Sequence, residues 1–134
     1  MECKDTMKNP KVLVADDDPH VRQALKTRLN AWGFRVLEVR DGLGVISLAS
    51  RENVVAMILD HEMPNGSGRD VAWMIRRECE SPIIFLSGHD RESFRQIVSA
   101  LPDVYYLHKP LDTAKLHTVL HEVLSTRETA LACA

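Results

Sequence analysis

Aromatic side chains are scarce in this chain. Phe, Trp and Tyr make up 5% of its 134 residues, so its core is expected to be aliphatic. Cysteine is rarer still: Cys3, Cys79 and Cys133 are an odd number, with no C-x-x-C spacing and two of them near the termini. That pattern argues against a disulfide framework or zinc knuckle and points to a reducing, cytoplasmic compartment. Neither sign of charge dominates, because 17 Lys and Arg stand against 19 Asp and Glu, for a formal net charge of −2. With no overall basic field for nucleic acid or acidic lipid, any partner is expected to be recognised locally. No apolar segment reaches spanning length, and the first ten residues, MECKDTMKNP, carry acidic groups and no apolar stretch, unlike a signal peptide. Internal repeats, linkers and low-complexity tracts are absent as well.

A hydrophobic content of 45% against 27% charged describes one globular domain of ordinary size. The central stretch is VVAMILDHEMPNGSG, from Val54 to Gly68. Val54 to Leu59 is too short for most helices and too uniformly apolar for a half-exposed strand, so it reads as a strand buried on both faces. Asp60 ends that strand, and Met-Pro-Asn-Gly-Ser-Gly turns out at the surface.

Four further short runs behave in the same way. Lys11–Ala15 is a first strand ending at Asp16, Asp17 and Asp18. Phe34–Val39 is a second, more exposed strand. Ile83–Leu86 is a fourth, ending at Ser87-Gly88, and Val104–Leu107 a fifth, ending at His108-Lys109-Pro110.

Helical spacing fills the intervals. Asp18 caps a helix with Pro19 in its first turn, on which Val21, Ala24, Leu25, Leu29 and Trp32 recur, and Gly33 closes it. A weak helix follows Asp41-Gly42 through Leu43, Ile46 and Ala49. Gly68 begins another, where Val71, Ile75 and Cys79 share a face beside Met74, and it ends before Ser81-Pro82. Asp90 caps a fourth helix carrying Phe94, Ile97, Val98 and Leu101, which Pro102 stops. Asp112 caps the last, with Leu116, Val119, Leu120 and Val123 as its buried stripe. Five such alternations without hairpin signals imply a parallel sheet wrapped by helices on both faces, an α/β doubly wound fold.

The polar strand ends carry the chemistry. Asp16, Asp17, Asp60, Ser87 and Lys109 follow four different strands, and a doubly wound sheet brings those ends to one edge, where such folds bind ligands. Three close carboxylates repel one another, so the cluster calls for a hard divalent cation such as Mg²⁺. A metal, an ammonium and a hydroxyl around one carboxylate suit transfer of a phosphoryl group onto Asp60, forming an aspartyl phosphate.

The segments VLVADDD, ILDHEMPNGSG, IIFLSG and YYLHKP, in that order and at those separations, resemble the receiver domain of two-component response regulators, the CheY-like family. The resemblance covers roughly residues 11–126, leaving 1–10 and 127–134 as tails, the second expected to be frayed. It implies a flavodoxin-like five-stranded sheet in order 2-1-3-4-5 with five helices. It also implies that Asp60 accepts phosphate from a histidine kinase or phosphotransfer protein, with Mg²⁺ held by Asp16, Asp17, Asp60 and the backbone carbonyl of Glu62. By the same resemblance Lys109 meets the phosphoryl group through a cis Lys109-Pro110 bond, and Ser87 and Tyr106 switch together. Helix 4, strand 5 and helix 5 then face a downstream target, an output domain of the same protein or a second copy in a homodimer. Glu62 and His89 stand where family members tune dephosphorylation.

In three places the chain departs from the family pattern. His61 replaces an aliphatic residue after the acceptor, Gly66-Ser67 replaces Met-Asp, and Pro102-Asp103 replaces Gly-Ala.

Other readings compete. An Asp-nucleophile phosphatase of the haloacid-dehalogenase kind is suggested by Asp16-x-Asp18, but His20 stands where Thr is expected and no cap segment is present. A flavodoxin-like cofactor carrier would meet acids where it needs a phosphate loop. His61, His89 and His108 near the rim suggest a transition-metal site less well than the oxygen donors suggest Mg²⁺. His117 and His121 read as a solvated helix face. The expectation is thus a signalling module that catalyses only its own phosphorylation and slow dephosphorylation, with no direct contact to nucleic acid or membrane. It stands alone or is excised from a longer regulator or hybrid kinase.

Overall fold

In the computed structural model, residues 10–63, 66–88 and 101–133 are described, with side-chain surroundings given for 10–61, 70–88 and 101–125. Five strands, β1 (Lys11–Ala15), β2 (Arg35–Val39), β3 (Ala56–Asp60), β4 (Ile83–Ser87) and β5 (Val104–His108), form one parallel sheet in the order β2-β1-β3-β4-β5. Four helices are present among the described residues: α1 (Pro19–Ala31), α2 (Gly42–Arg51), α3 (Gly68–Glu78) and α4 (Thr113–Cys133). The helix expected from Asp90 to Leu101 falls outside the described residues except for Leu101, which is buried. The five-helix expectation is therefore met by four here.

Period-two alternation builds the core, because successive strand residues point to opposite faces. Leu13, Met57, Leu59 and Phe85 pack with Val45 of α2 and with Val71, Ala72 and Ile75 of α3. Val14, Ile58, Ile84 and Leu86 pack on the other face with Leu25 and Leu29 of α1 and with Leu116 and Leu120 of α4. β3 is wholly buried, as its uniform apolar character requires, whereas β2 at the sheet edge is half-exposed.

The caps follow the sequence closely. Asp18, Asp41 and Asp112 accept hydrogen bonds from the amides of His20, Gly44 and Ala114, respectively, satisfying donors that the first helical turn leaves open. Pro19 occupies the first turn of α1, and Gly33 beyond its end takes φ +94, a region side chains disfavour.

Several details depart from expectation. β3 begins at Ala56, two residues into its apolar run. Val54 and Val55 lead into it, with Val54 buried beneath the Ser81 hydroxyl, which donates to its carbonyl at 2.6 Å. Beyond Asp60 the chain forms a short antiparallel ladder, Glu62–Met63 on Gly66–Ser67, in place of a simple turn. On α3, Met74 is exposed while Ala72 is buried, so the buried stripe turns away from Met74. The last helix continues to Cys133, through the tail expected to be frayed after about Thr126.

Candidate phosphoacceptor site

Parallel pairing aligns the strand ends. Ala15 lies opposite Leu59, Asp60 opposite Leu86, and Ser87 opposite His108. Residues just beyond β1, at the end of β3, at the end of β4 and just beyond β5 therefore gather at the carboxyl edge.

Carboxylate oxygens of Asp16, Asp17 and Asp60 all lie within 4.8 Å of one another. Lys109 sends its ammonium among them, with Nζ 3.4 Å from Asp60 Oδ1 and 3.4 Å from Asp16 Oδ2. Asp16 and Asp60 are buried and Asp17 is exposed, so the acids open toward solvent on one side. Ser87 is buried at the end of β4, and its carbonyl accepts the Lys109 amide at 2.7 Å, which ties the two strand ends together immediately before the cis Lys109-Pro110 bond.

Asp16 is restrained at three of its atoms. Its amide donates to the Val39 carbonyl of β2 at 3.3 Å, its Oδ1 accepts the Asp18 amide at 2.9 Å, and its carbonyl accepts Arg22 Nη1 at 2.7 Å. Arg22 was missed by the sequence reading, because nothing in its spacing distinguishes it from any polar residue on α1.

Among the described residues, the charge balance at the site is incomplete. At about 4 Å and an effective dielectric of about 20, two unit charges interact by about 4 kcal/mol, so one lysine cannot cancel the mutual repulsion of three acids. The carboxyl of Asp16 is accordingly held above the usual range, first by burial and then by the charge of Asp60, against the Asp18 amide and Lys109 that favour its ionised form. For Lys109, burial opposes the charge, but Asp60 and Asp16 outweigh it and raise the pKa. The ammonium gains from two acids, while Asp16 is left with a net penalty. An all-oxygen donor set that still lacks positive charge is compatible with a hard divalent metal.

Tyr106 is half-buried against the Phe85 side of the core, with its ring 6.1 Å from that of His108. His61 sets its ring edge-on to Phe85 at 6.2 Å, and its amide donates to the Leu86 carbonyl. Glu62 lies in the short ladder beyond β3. The Glu62 side chain and all of His89 lie outside the described residues. Asp18 is not part of the acid cluster among the described residues, and its carboxylate caps α1. Pro102-Asp103 forms a turn in which Asp103 takes φ +54 and its carbonyl accepts the Ile83 amide at the start of β4.

Known proteins resemble this chain in sequence and in fold. The chain is 33% identical over 118 residues to a probable transcriptional regulator ycf27 of Porphyridium aerugineum, covering 88% of this chain and 49% of that protein. It thus spans about half the length of the curated relatives it matches. A response regulator receiver protein from Sinorhizobium medicae superposes with a TM-score of 0.81 at 26% identity, covering 90% of this chain and 98% of the other. The receiver domain of a sensor histidine kinase from Pseudomonas aeruginosa PAO1, solved with a magnesium ion coordinated in its active-site cleft, superposes at 0.76 with 25% identity over 87% of this chain and 98% of its own. A family model described as the response regulator receiver domain matches residues 12–121. With that match spanning most of the molecule, the chain belongs to the response regulator receiver domain family.

Proposed function

We propose that Asp60 is the phosphoacceptor of this receiver, taking a phosphoryl group from a phosphohistidine of a histidine kinase or phosphotransfer protein. Receiver domains of response regulators are signalling modules that act with kinases and output domains in two-component systems. The observation that carries the site assignment is the bridging lysine. Lys109 Nζ sits 3.4 Å from both Asp60 and Asp16, so a cation already stands beside the carboxylate that is to attack, where the oxygens of an incoming phosphoryl group need neutralising.

In the transfer, an Asp60 oxygen forms the new P–O bond while the P–N bond to the donor imidazole breaks, and the imidazole leaves with the bonding pair and takes up a proton. Lys109 neutralises one phosphoryl oxygen and the Ser87 hydroxyl donates to another, which is mostly positioning and charge compensation. Asp16, Asp17, Asp60 and the backbone carbonyl of Glu62 would hold Mg²⁺, which when bound neutralises charge on the phosphoryl oxygens. Ser87 and Tyr106 answer the new phosphoryl group together. β5 and α4, with the segment between β4 and β5, then present the altered face to a target, an output domain or a second copy. Glu62 and His89 set how fast water removes the phosphate. The module's only catalysis is its own phosphorylation and its slow reversal.

The relatives named as transcriptional regulators are about twice the matched length, and the role proposed for this chain includes no direct contact with nucleic acid. No helix among the described residues is long and apolar enough to cross a membrane. The phosphatase alternative loses ground because Asp18 is engaged as a cap outside the acid cluster.

Incubation with Mg²⁺ and acetyl phosphate, followed by intact mass, tests the assignment. The parent gains one phosphoryl group and Asp60→Asn gains none; an adduct of equal yield in Asp60→Asn refutes it.

A further inference from the structure

Arg22 is the fourth residue of α1, with its side chain only 15% exposed. Nη1 donates to the Asp16 carbonyl at 2.7 Å, and Nε stands 3.5 Å from Glu38 Oε1 on β2. Lys26, one helical turn on, holds the other oxygen of Glu38 at 3.4 Å. The peptide plane that contains the Asp16 carbonyl also contains the Asp17 amide, so anchoring that oxygen fixes the one rigid unit joining the two acids of the β1–α1 turn.

We propose that Arg22, braced by Glu38, is a positioning residue that sets the Asp16–Asp17 peptide so both carboxylates face Asp60 and receive the divalent cation. The proposal rests on the assignment of that cation to Asp16, Asp17 and Asp60. A planar guanidinium can serve the carbonyl through Nη1 and the carboxylate through Nε at once, whereas an ammonium offers no such fixed fork. Arg22→Lys therefore keeps the charge facing Glu38 but releases the peptide. Nothing else described on the Asp16 carbonyl replaces the lost bond, since the Asp16 amide and Oδ1 serve Val39 and Asp18.

Calorimetric titration with Mg²⁺ alone on the parent, Arg22→Gln, Arg22→Lys and Glu38→Gln, with melting temperatures taken in EDTA, tests this. Groups that orient metal ligands typically change metal affinity by tenfold or more, so both Arg22 variants are expected to bind Mg²⁺ about tenfold more weakly, and Glu38→Gln less so. Arg22→Lys is expected to melt close to the parent in EDTA and to regain phosphorylation from acetyl phosphate at saturating Mg²⁺. If the parent binds Mg²⁺ and Arg22→Lys and Arg22→Gln both match it within about twofold, Arg22 is only a structural tie between α1 and β2 and the inference is overturned. A parent that takes up no Mg²⁺ overturns the metal assignment itself, and this inference with it.

Discussion

Burial decides how Asp16 behaves. Its carboxyl is 1% exposed and stands beside Asp60, so its ionised form is disfavoured and its pKa is raised. A carboxyl whose folded pKa lies above its unfolded value favours folding most at low pH, and that contribution is lost as pH rises through the folded pKa. Asp16→Asn in EDTA is therefore expected to melt above the parent at neutral pH, with the gap closing as pH falls below the ordinary Asp range. The same variant gains less melting temperature from added Mg²⁺ than the parent does. Thermal scans across pH, with and without Mg²⁺, check both outcomes, and a parent that melts above Asp16→Asn in EDTA at neutral pH contradicts the first. At this scale the acids, Ser87 and Lys109 were legible because each is a polar residue standing where a short apolar run stops. Arg22 was not, because its importance comes from the partner its guanidinium meets across the fold.

Three of the four described helices, α1, α2 and α4, start at an aspartate cap that the sequence announces. Asp112 accepts the amides of Ala114 and Lys115 ahead of α4, so Asp112→Ala is expected to cost about 1 kcal/mol in denaturant unfolding. Gly33 has nothing within 4 Å of where a Cβ would stand, yet its φ of +94 is unfavourable for any other residue. Gly33→Ala should therefore destabilise by about 1–2 kcal/mol through backbone strain alone. A neutral Gly33→Ala would show that the turn re-forms without a left-handed residue. The capped ends were readable because capping is local chemistry between neighbours. The late start of β3 and the ladder beyond it were not. Val54 and Val55 have strand character, but the register of β3 against β1 and β4 is set by tertiary pairing, and Glu62–Met63 pairs with Gly66–Ser67 without an alternating pattern to announce it.

At the scale of the molecule, one sheet separates two aliphatic layers and places the carboxyl ends of β1, β3, β4 and β5 on the same side. Leu120 of α4 is 1% exposed in the layer shared with α1, and Leu120→Ala is expected to cost about 2–5 kcal/mol. The fold class was legible because five buried runs alternate with helical spacing, an arrangement that right-handed crossovers turn into a parallel sheet. The position of His61 was not, because its ring settles edge-on to Phe85 from another strand.

The gathered edge is expected to direct phosphorylation to Asp60 and to no other acid. Borohydride reduction of the protein treated with Mg²⁺ and acetyl phosphate converts an acyl phosphate to an alcohol, and peptide mass mapping then reads which residue lost its carboxyl. The reduced position is expected at residue 60 alone. Reduction at Asp16, Asp17 or Asp18 with Asp60 untouched would contradict the account.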